Sequence, residues 1–346
     1  MAKQCEKHSR IQALKNCGNN TSKNHSRILA FSHSSIKKRF MQTTNNIFLV
    51  RPANPGFNSE TAESNAFQVA VEDQTEKIQE QVWKEFDNVQ MTLKSKGINV
   101  MVFEDTKHPV KPDAIFPNNW VTFHSDGTVI FYPMLSLARR NERRLDIVDA
   151  LKADFNIKEV IDLANYEKYD CFLEGTGSII FDHINKIAYA CLSPRTNKDL
   201  LNTVCKKINY EPVSFHAVDP QGKEIYHTNV MMAIGEKFVT VCLESITNDA
   251  ERKMLKDSFA KSNHKIIDIS FEQMNHFAGN MLELKTDEGK SILALSKSAF
   301  DILTVDQKTE MEKFTEFVLL DIKTIETIGG GSVRCMIAEI FSPQKS

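Results

Sequence analysis

From Ile47 onward, apolar positions gather into short runs that alternate with turn signals and with stretches of helical spacing. Apolar strands flank Ser125-Asp126-Gly127, His183-Ile184-Asn185, Gly235-Glu236-Lys237 and Asp287-Glu288-Gly289, which predicts four hairpins. Their first strands are expected near Asn119, Ser178, Asn229 and Met281, and a last one near Arg334, at separations of 59, 51, 52 and 53 residues. So regular a period predicts five repeats of one unit: strand, turn, strand, helix, strand. The helices show in Ile78, Val82, Phe86, Val89 and Leu93 before Gly97, in Leu145, Val148 and Leu151, and in Leu200, Val204 and Ile208. The last unit has one good strand, Val333 to Phe341, and the folded part opens with an orphan strand, Ile47 to Val50. Pairing the two closes a ring. The expected fold is therefore α/β, a five-module pseudo-symmetric α/β propeller, because so many hairpins do not suit a mostly parallel doubly wound sheet.

Composition and charge refine this picture. At 346 residues, with 41% apolar and 25% charged content, the chain can bury a large core. Residues 1–45 carry nine Lys or Arg against the single acid Glu6, a net +8 that leaves −10 for the rest. Rich in Asn, Ser and His and without an apolar period, 1–45 is expected to be a disordered basic extension, and 46–346 a single catalytic domain. Patterning that starts at Ile47 also suits a start at Met41. A basic tail can touch nucleic acid, but no nucleic-acid partner is expected. No apolar run approaches the ~18 residues of a membrane span, and no secretory apolar region opens the chain. Seven cysteines without CxxC spacing argue against zinc ribbons and disulfide frameworks and for a reducing, cytoplasmic setting.

The repeat places chemically interesting residues in equivalent positions. Asn118 and Asn119, Glu174, His227 and Asn229, Asn280, and Cys335 all stand at or just before the first strand of successive modules, so a ring would bring them together. Cys335 follows Gly329-Gly330-Gly331-Ser332, a run that lets a ligand approach the main chain. Arg334 or a protonated His227 could favour its thiolate. Cys171, Cys191, Cys205 and Cys242 lie in or beside apolar runs and read as small core residues. His227 is the natural proton shuttle for a cysteine nucleophile, and Glu174 could orient the imidazole. The other histidines lack HExxH or HxH spacing, which makes a metal site improbable.

Six segments carry a resemblance: Val50-Arg51-Pro52, Phe116-Pro117-Asn118-Asn119-Trp120, Leu173-Glu174-Gly175, Ser193-Pro194-Arg195-Thr196, His227-Thr228-Asn229 and the glycine run to Cys335-Met336. In order and spacing the chain resembles the amidinotransferase and arginine deiminase superfamily of guanidine-modifying enzymes. That resemblance implies a propeller fold, no cofactor and a small amino-acid substrate, with a homo-oligomer open. It implies that Cys335 attacks the guanidino carbon, His227 moves protons and Glu174 orients it. Arg195, with Arg139 or Arg140, would hold the substrate carboxylate, and Asn118, Asn119 and Asn229 would line the binding site.

One departure bears on the substrate. Deiminases of this kind carry Asp where Asn119 and Asn229 stand here. A carboxylate only accepts and suits a guanidinium, whereas an amide also donates and suits a neutral ureido group. Losing two charge-assisted bonds worth about 1.5–3 kcal/mol each disfavours a buried guanidinium. The expectation is a hydrolase that cleaves the ureido group of citrulline, giving ornithine, ammonia and carbon dioxide. This agrees with a resemblance to citrulline-utilisation hydrolases through Asn58-Ser59-Glu60-Thr61-Ala62 and Ser64-Asn65-Ala66-Phe67-Gln68. An arginine or methylarginine hydrolase, an amidinotransferase and a non-catalytic binding propeller are the alternatives.

Overall fold

The structure is a computed structural model that describes residues 41–61, 65, 67 and 76–345. Residues 1–40, and Ala62, Ser64, Ala66 and Gln68 of the two motif stretches, lie outside the described residues.

Five three-stranded sheets repeat one topology. The chain opens with β1 (Asn46–Arg51), and the helix Glu76–Ser95 carries it to the parallel β2 (Asn99–Glu104). Next come the sheets β3 (Val121–Phe123), β4 (Thr128–Phe131), β5 (Glu159–Asp162) and β6 (Ile180–Asp182), β7 (Ile187–Cys191), β8 (Glu211–Phe215). The sheets β9 (Met232–Ile234), β10 (Phe238–Val241), β11 (Lys265–Asp268) and β12 (Leu282–Lys285), β13 (Ser291–Ser296), β14 (Glu316–Leu320) follow. In each of these four, an antiparallel hairpin is followed by a helical crossover to a parallel strand. The remaining sheet is completed by the end of the chain. β15 (Ala338–Glu339) pairs antiparallel with β1 in the register Ile47↔Glu339 and Phe48↔Ala338, as expected for the two orphan strands.

The helices form where the apolar period called for them. Glu76–Ser95 buries Val82, Phe86, Val89 and Leu93, and ends where Gly97 takes φ +78°. Lys198–Ile208 is capped by the Asn197 side chain, which accepts from the N–H groups of Asp199 and Leu200, and it buries Leu200, Val204 and Ile208. Leu145 departs from expectation. It opens the helix Leu145–Leu151 and is exposed, while Ile147 takes its place inside.

Three further corrections follow. The first strands begin later than expected, because a single helical turn precedes three of them: Gly175–Ser178, Thr228–Met231 and Val333–Met336. The stretch Val333 to Phe341 is thus a helical turn and a two-residue strand, not one long strand. A run of apolar residues cannot distinguish one buried helical turn from one more strand residue pair. The folded chain also reaches back into the segment assigned to the extension. Gln42 and Thr44 are buried, with Gln42 Nε2 donating to the Phe181 carbonyl and Thr44 Oγ1 to that of Ile340. Such polar-to-backbone bonds leave no trace in hydrophobic periodicity. Finally, Cys171 is buried in the core as expected but is disulfide-bonded, whereas Cys191, Cys205, Cys242 and Cys335 are free and buried.

Candidate active site

The helical turns carry the site. Glu174 and His227 occupy the position just before the turns Gly175–Ser178 and Thr228–Met231, and Cys335 lies within Val333–Met336. The turn Gly175–Ser178 packs against both Pro117–Asn119 and Thr228–Met231, and Pro117–Asn119 also packs against Val333–Met336. Glycine is what allows this approach. A Cβ on Gly177 would stand 2.2 Å from Asn119 Nδ2 and 2.9 Å from His227 Cε1, so the amide and the imidazole converge over one missing side chain.

Glu174 is fully buried and its carboxylate is saturated with donors. Oε2 accepts from His227 Nε2 at 2.8 Å and faces Arg195 Nη1 at 3.5 Å, and Oε1 accepts from the Leu135 N–H at 2.9 Å. Burial alone would raise this carboxyl, but Arg195 and His227 prevail and hold it down at about 2. For His227 burial wins over the attraction of Glu174 and pushes the imidazole down to about 4. The pair is therefore an ionised carboxylate and a neutral imidazole near neutral pH. With Nε2 donating to Glu174, Nδ1 is left as the basic nitrogen.

Cys335 Sγ accepts from two amides, Asn229 Nδ2 at 3.3 Å and Asn280 Nδ2 at 3.2 Å. Asn229 is fully buried, and its Oδ1 has no protein partner. The same holds for both side-chain polar atoms of Asn118 and for Nδ2 of Asn119. Buried amide groups left without protein partners are suited to a polar ligand. Arg334 is not available to the sulfur: its guanidinium donates to the Ile337 carbonyl at 3.1 Å and pairs with Glu339 at 2.8 Å.

The three candidate arginines have distinct surroundings. Arg139 is buried, pairs with Glu142 at 2.9 Å and donates to Asn119 Oδ1 at 3.0 Å, with Asp113 at 3.6 Å. Burial opposes its charge, but Glu142 and Asp113 outweigh this and raise it. Arg195 lies beside Glu174 and 5.0 Å over the Tyr226 ring. Arg140 turns to the Met134 carbonyl at 3.0 Å and to Glu167 at 3.3 Å, and lies within 5.9 Å of the Phe172 ring. Sequence reading gave no site role to Asp113, to Glu142 or to Asn58, which it named only within a motif stretch and whose Nδ2 donates to Asp113 at 2.8 Å. Only the i, i+3 spacing of Arg139 and Glu142 signals any of them. Among the described residues no group of three or more His, Cys, Asp or Glu is arranged to hold a metal. Two open clefts, of about 390 and 450 Å³, lie apart from Cys335, the first sharing only the wall formed by Tyr226 and Val230. Among the described residues no helix is long and apolar enough to cross a membrane.

Fold and residue set together define a guanidine-modifying enzyme of the amidinotransferase and arginine dihydrolase superfamily. Within it, the chain belongs to the family described as N,N dimethylarginine dimethylhydrolase, eukaryotic, whose model matches residues 51–342. The apo structure of ArgZ, an arginine dihydrolase from the ornithine-ammonia cycle in cyanobacteria, is similar with a TM-score of 0.68 and 15% identity over 86% of this chain and 41% of its own. This chain thus spans less than half of that protein. The N-terminal domain of ArgZ bound to substrate gives 0.67 and 15% over 86% of this chain and 98% of its own. A dimethylarginine dimethylaminohydrolase adduct with S-methyl-L-thiocitrulline gives 0.58 and 13% over 86% and 100%. At these identities the likeness is one of fold. Comparison with curated proteins finds no match.

Proposed function

We propose that this protein is a cofactor-free cysteine hydrolase of a free amino acid, and that it cleaves the ureido group of citrulline. The carrying observation is that buried amides stand at 119 and 229, with Asn119 Nδ2 and Asn229 Oδ1 left without protein partners, so the site offers a ureido group both a donor and an acceptor. In this reading His227 Nδ1 takes the thiol proton as Cys335 Sγ bonds to the planar carbon. It returns the proton to the departing amine of ornithine, leaving a carbamoyl group on sulfur. Water then loses a proton to Nδ1 as it attacks that carbon, and the proton passes to Sγ as the C–S bond breaks. The resulting carbamate gives ammonia and carbon dioxide. Covalent catalysis thereby splits one difficult displacement into two easier ones.

Glu174 holds the imidazole in its tautomer throughout, and Arg195 keeps that carboxylate ionised. Arg195, with Arg139 or Arg140, is proposed to hold the substrate carboxylate, with Asn118 lining the site. Five sheets of one topology, the pairing of β1 with β15, and the packing of β6 on β9, β9 on β12 and β15 on β3 support a propeller whose axis carries the site. The folded domain, which includes Gln42 and Thr44 ahead of β1, is the catalytic unit, in a cytoplasmic setting.

A guanidino substrate is the second reading, supported by the family description and by the likeness to arginine dihydrolase. The two readings meet chemically, since hydrolysing arginine at one C–N bond yields citrulline. Purified protein should be assayed with citrulline, arginine, agmatine and methylated arginines, with ornithine, citrulline and ammonia measured separately, and with Cys335→Ser as the inactive control. Ornithine from citrulline is the expected result. Citrulline accumulating from arginine, with added citrulline untouched, would sink the ureido reading. Near-normal turnover by Cys335→Ser would remove the nucleophile itself.

A further inference from the structure

Asn280 comes from the β12 module, yet its side chain bonds to residues of the two neighbouring modules. Its Nδ2 donates to the Asn229 carbonyl at 3.0 Å and to Cys335 Sγ at 3.2 Å, while its Oδ1 accepts from the Arg334 N–H at 3.0 Å. The side chain is 2% exposed, so water cannot substitute for any of these bonds. The three contacts also settle which way the amide points. Turned over, it would set Oδ1 against the Asn229 carbonyl and its NH₂ against the Arg334 N–H, two repulsive pairs. One N–H is thus taken up by Asn229, and the other is aimed at sulfur. The backbone is adapted to bring it there: a Cβ on Gly279 would lie 2.3 Å from the Val230 carbonyl oxygen, so only glycine lets this segment press against the turn that carries Asn229.

We propose that Asn280 is a further catalytic residue, whose amide donates to Cys335 Sγ, fixes its direction and favours its thiolate. A thiolate accepts an N–H more strongly than a thiol does, so a donor that cannot turn away stabilises the charged form of the nucleophile. Asn229 donates to the same sulfur but keeps a free Oδ1 for the substrate, whereas both side-chain polar atoms of Asn280 are committed within the protein. The two amides therefore divide the work, Asn229 facing the substrate and Asn280 the sulfur. This rests on Cys335 being the nucleophile, as proposed above, but not on the identity of the substrate.

Asn280→Asp tests it directly. The new side chain keeps an acceptor for the Arg334 N–H but puts a carboxylate oxygen against the sulfur. Iodoacetamide alkylation of Cys335 should be followed against pH in the wild type and the variant, with Cys335→Ser as blank and thermal melting as the check on fold. The pH of half-maximal alkylation should rise by about one unit or more, a tenfold loss of thiolate at neutral pH. Asn280→Ser, smaller and uncharged, should shift the profile in the same direction by less, and it carries the test if the aspartate variant does not fold. A folded Asn280→Asp, or failing that Asn280→Ser, whose alkylation profile coincides with the wild type would overturn the assignment. The readout needs no substrate, so a shifted profile alongside no turnover of any guanidino or ureido compound would leave Asn280 in place and remove the proposed function instead.

Discussion

At the scale of single residues, the chemistry depends on which side chains are charged. His227 is neutral because burial, helped by the charges of Arg195 and Arg139, outweighs Glu174, and Glu174 is ionised because Arg195 at 3.5 Å and His227 outweigh burial. Around the sulfur the groups are uncharged amides, and that is the basis for choosing a ureido substrate. Changing Asn119 and Asn229 together to Asp should reverse the choice. A carboxylate in place of the Asn119 amide would keep the acceptor that Arg139 uses at 3.0 Å, so the local fold should survive. Binding of citrulline and arginine should be compared by calorimetry in a Cys335→Ser background, where turnover is silent. Citrulline affinity should fall and arginine affinity rise by about tenfold or more each, as charge-assisted bonds of about 1.5–3 kcal/mol replace neutral ones. An unaltered preference would mean that neither amide touches the reacting group.

At the scale of elements, the single helical turn ahead of a first strand is the working part of the module. It turns the residue before it toward its neighbours, as with Glu174 and His227, and it requires glycine where two turns meet. Gly177→Ala should therefore injure catalysis more than stability. The added methyl displaces Asn119 and His227, and a shift of about 1 Å in such a group can cost a hundredfold in rate. Overpacking of this kind typically costs about 1–3 kcal/mol. Steady-state kinetics together with a melting curve should show a fall in kcat of at least about tenfold with the cooperative transition preserved. Gly222→Ala is the contrast: nothing lies within 4 Å of the added methyl, but φ +80° strains an L residue, so a stability loss of about 1–2 kcal/mol without a catalytic loss is expected there. Equal activity losses in both variants would point to general destabilisation and away from the convergence over Gly177.

At the scale of the whole molecule, buried histidines set the acid limit. His124 and His227 are pushed down to about 4 by burial, His264 is lowered, and His183 is lowered well below its ordinary value, all chiefly by the same cause. A depressed imidazole lets the unfolded chain bind protons first. The associated stability is complete above about 6.5 and is lost as pH falls toward 4. Each strongly shifted group contributes of order 2–3 kcal/mol, and Glu174 adds a further loss between its ordinary value of 4.5 and its held value of about 2. Melting temperature should thus drop between about pH 6.5 and pH 4, less the opposing gain from Glu142, whose carboxyl burial raises to about 7. A melting temperature that rises as pH falls over that interval would show the imidazoles to be accessible to water. The joining of the chain's ends predicts a second global effect. Deleting residues 338–345 removes the partner of β1 along with the Ile340 N–H bond to the Asn46 carbonyl and the Asn156 N–H bond to that of Pro343. Circular dichroism on that truncation should show loss of the cooperative transition, not a modest shift.

Periodicity alone determined the repeat and its content of hairpins and helices, because burying one face of a strand or helix forces a spacing that neighbouring residues reveal. The same repeat aligned Glu174, His227, Asn229, Asn280 and Cys335 before any geometry was known. Resemblance of motifs supplied their roles. Only the tertiary structure decided that Asn280 reaches the sulfur, that Arg334 turns away to Glu339, and that Gln42 belongs to the folded domain. These depend on bonds across 55, 5 and 139 residues. A hydrogen bond from a single polar side chain needs no repeating pattern on either side of it. Its partner is fixed by where the packed sheets bring the backbone, and that is decided by the whole chain at once.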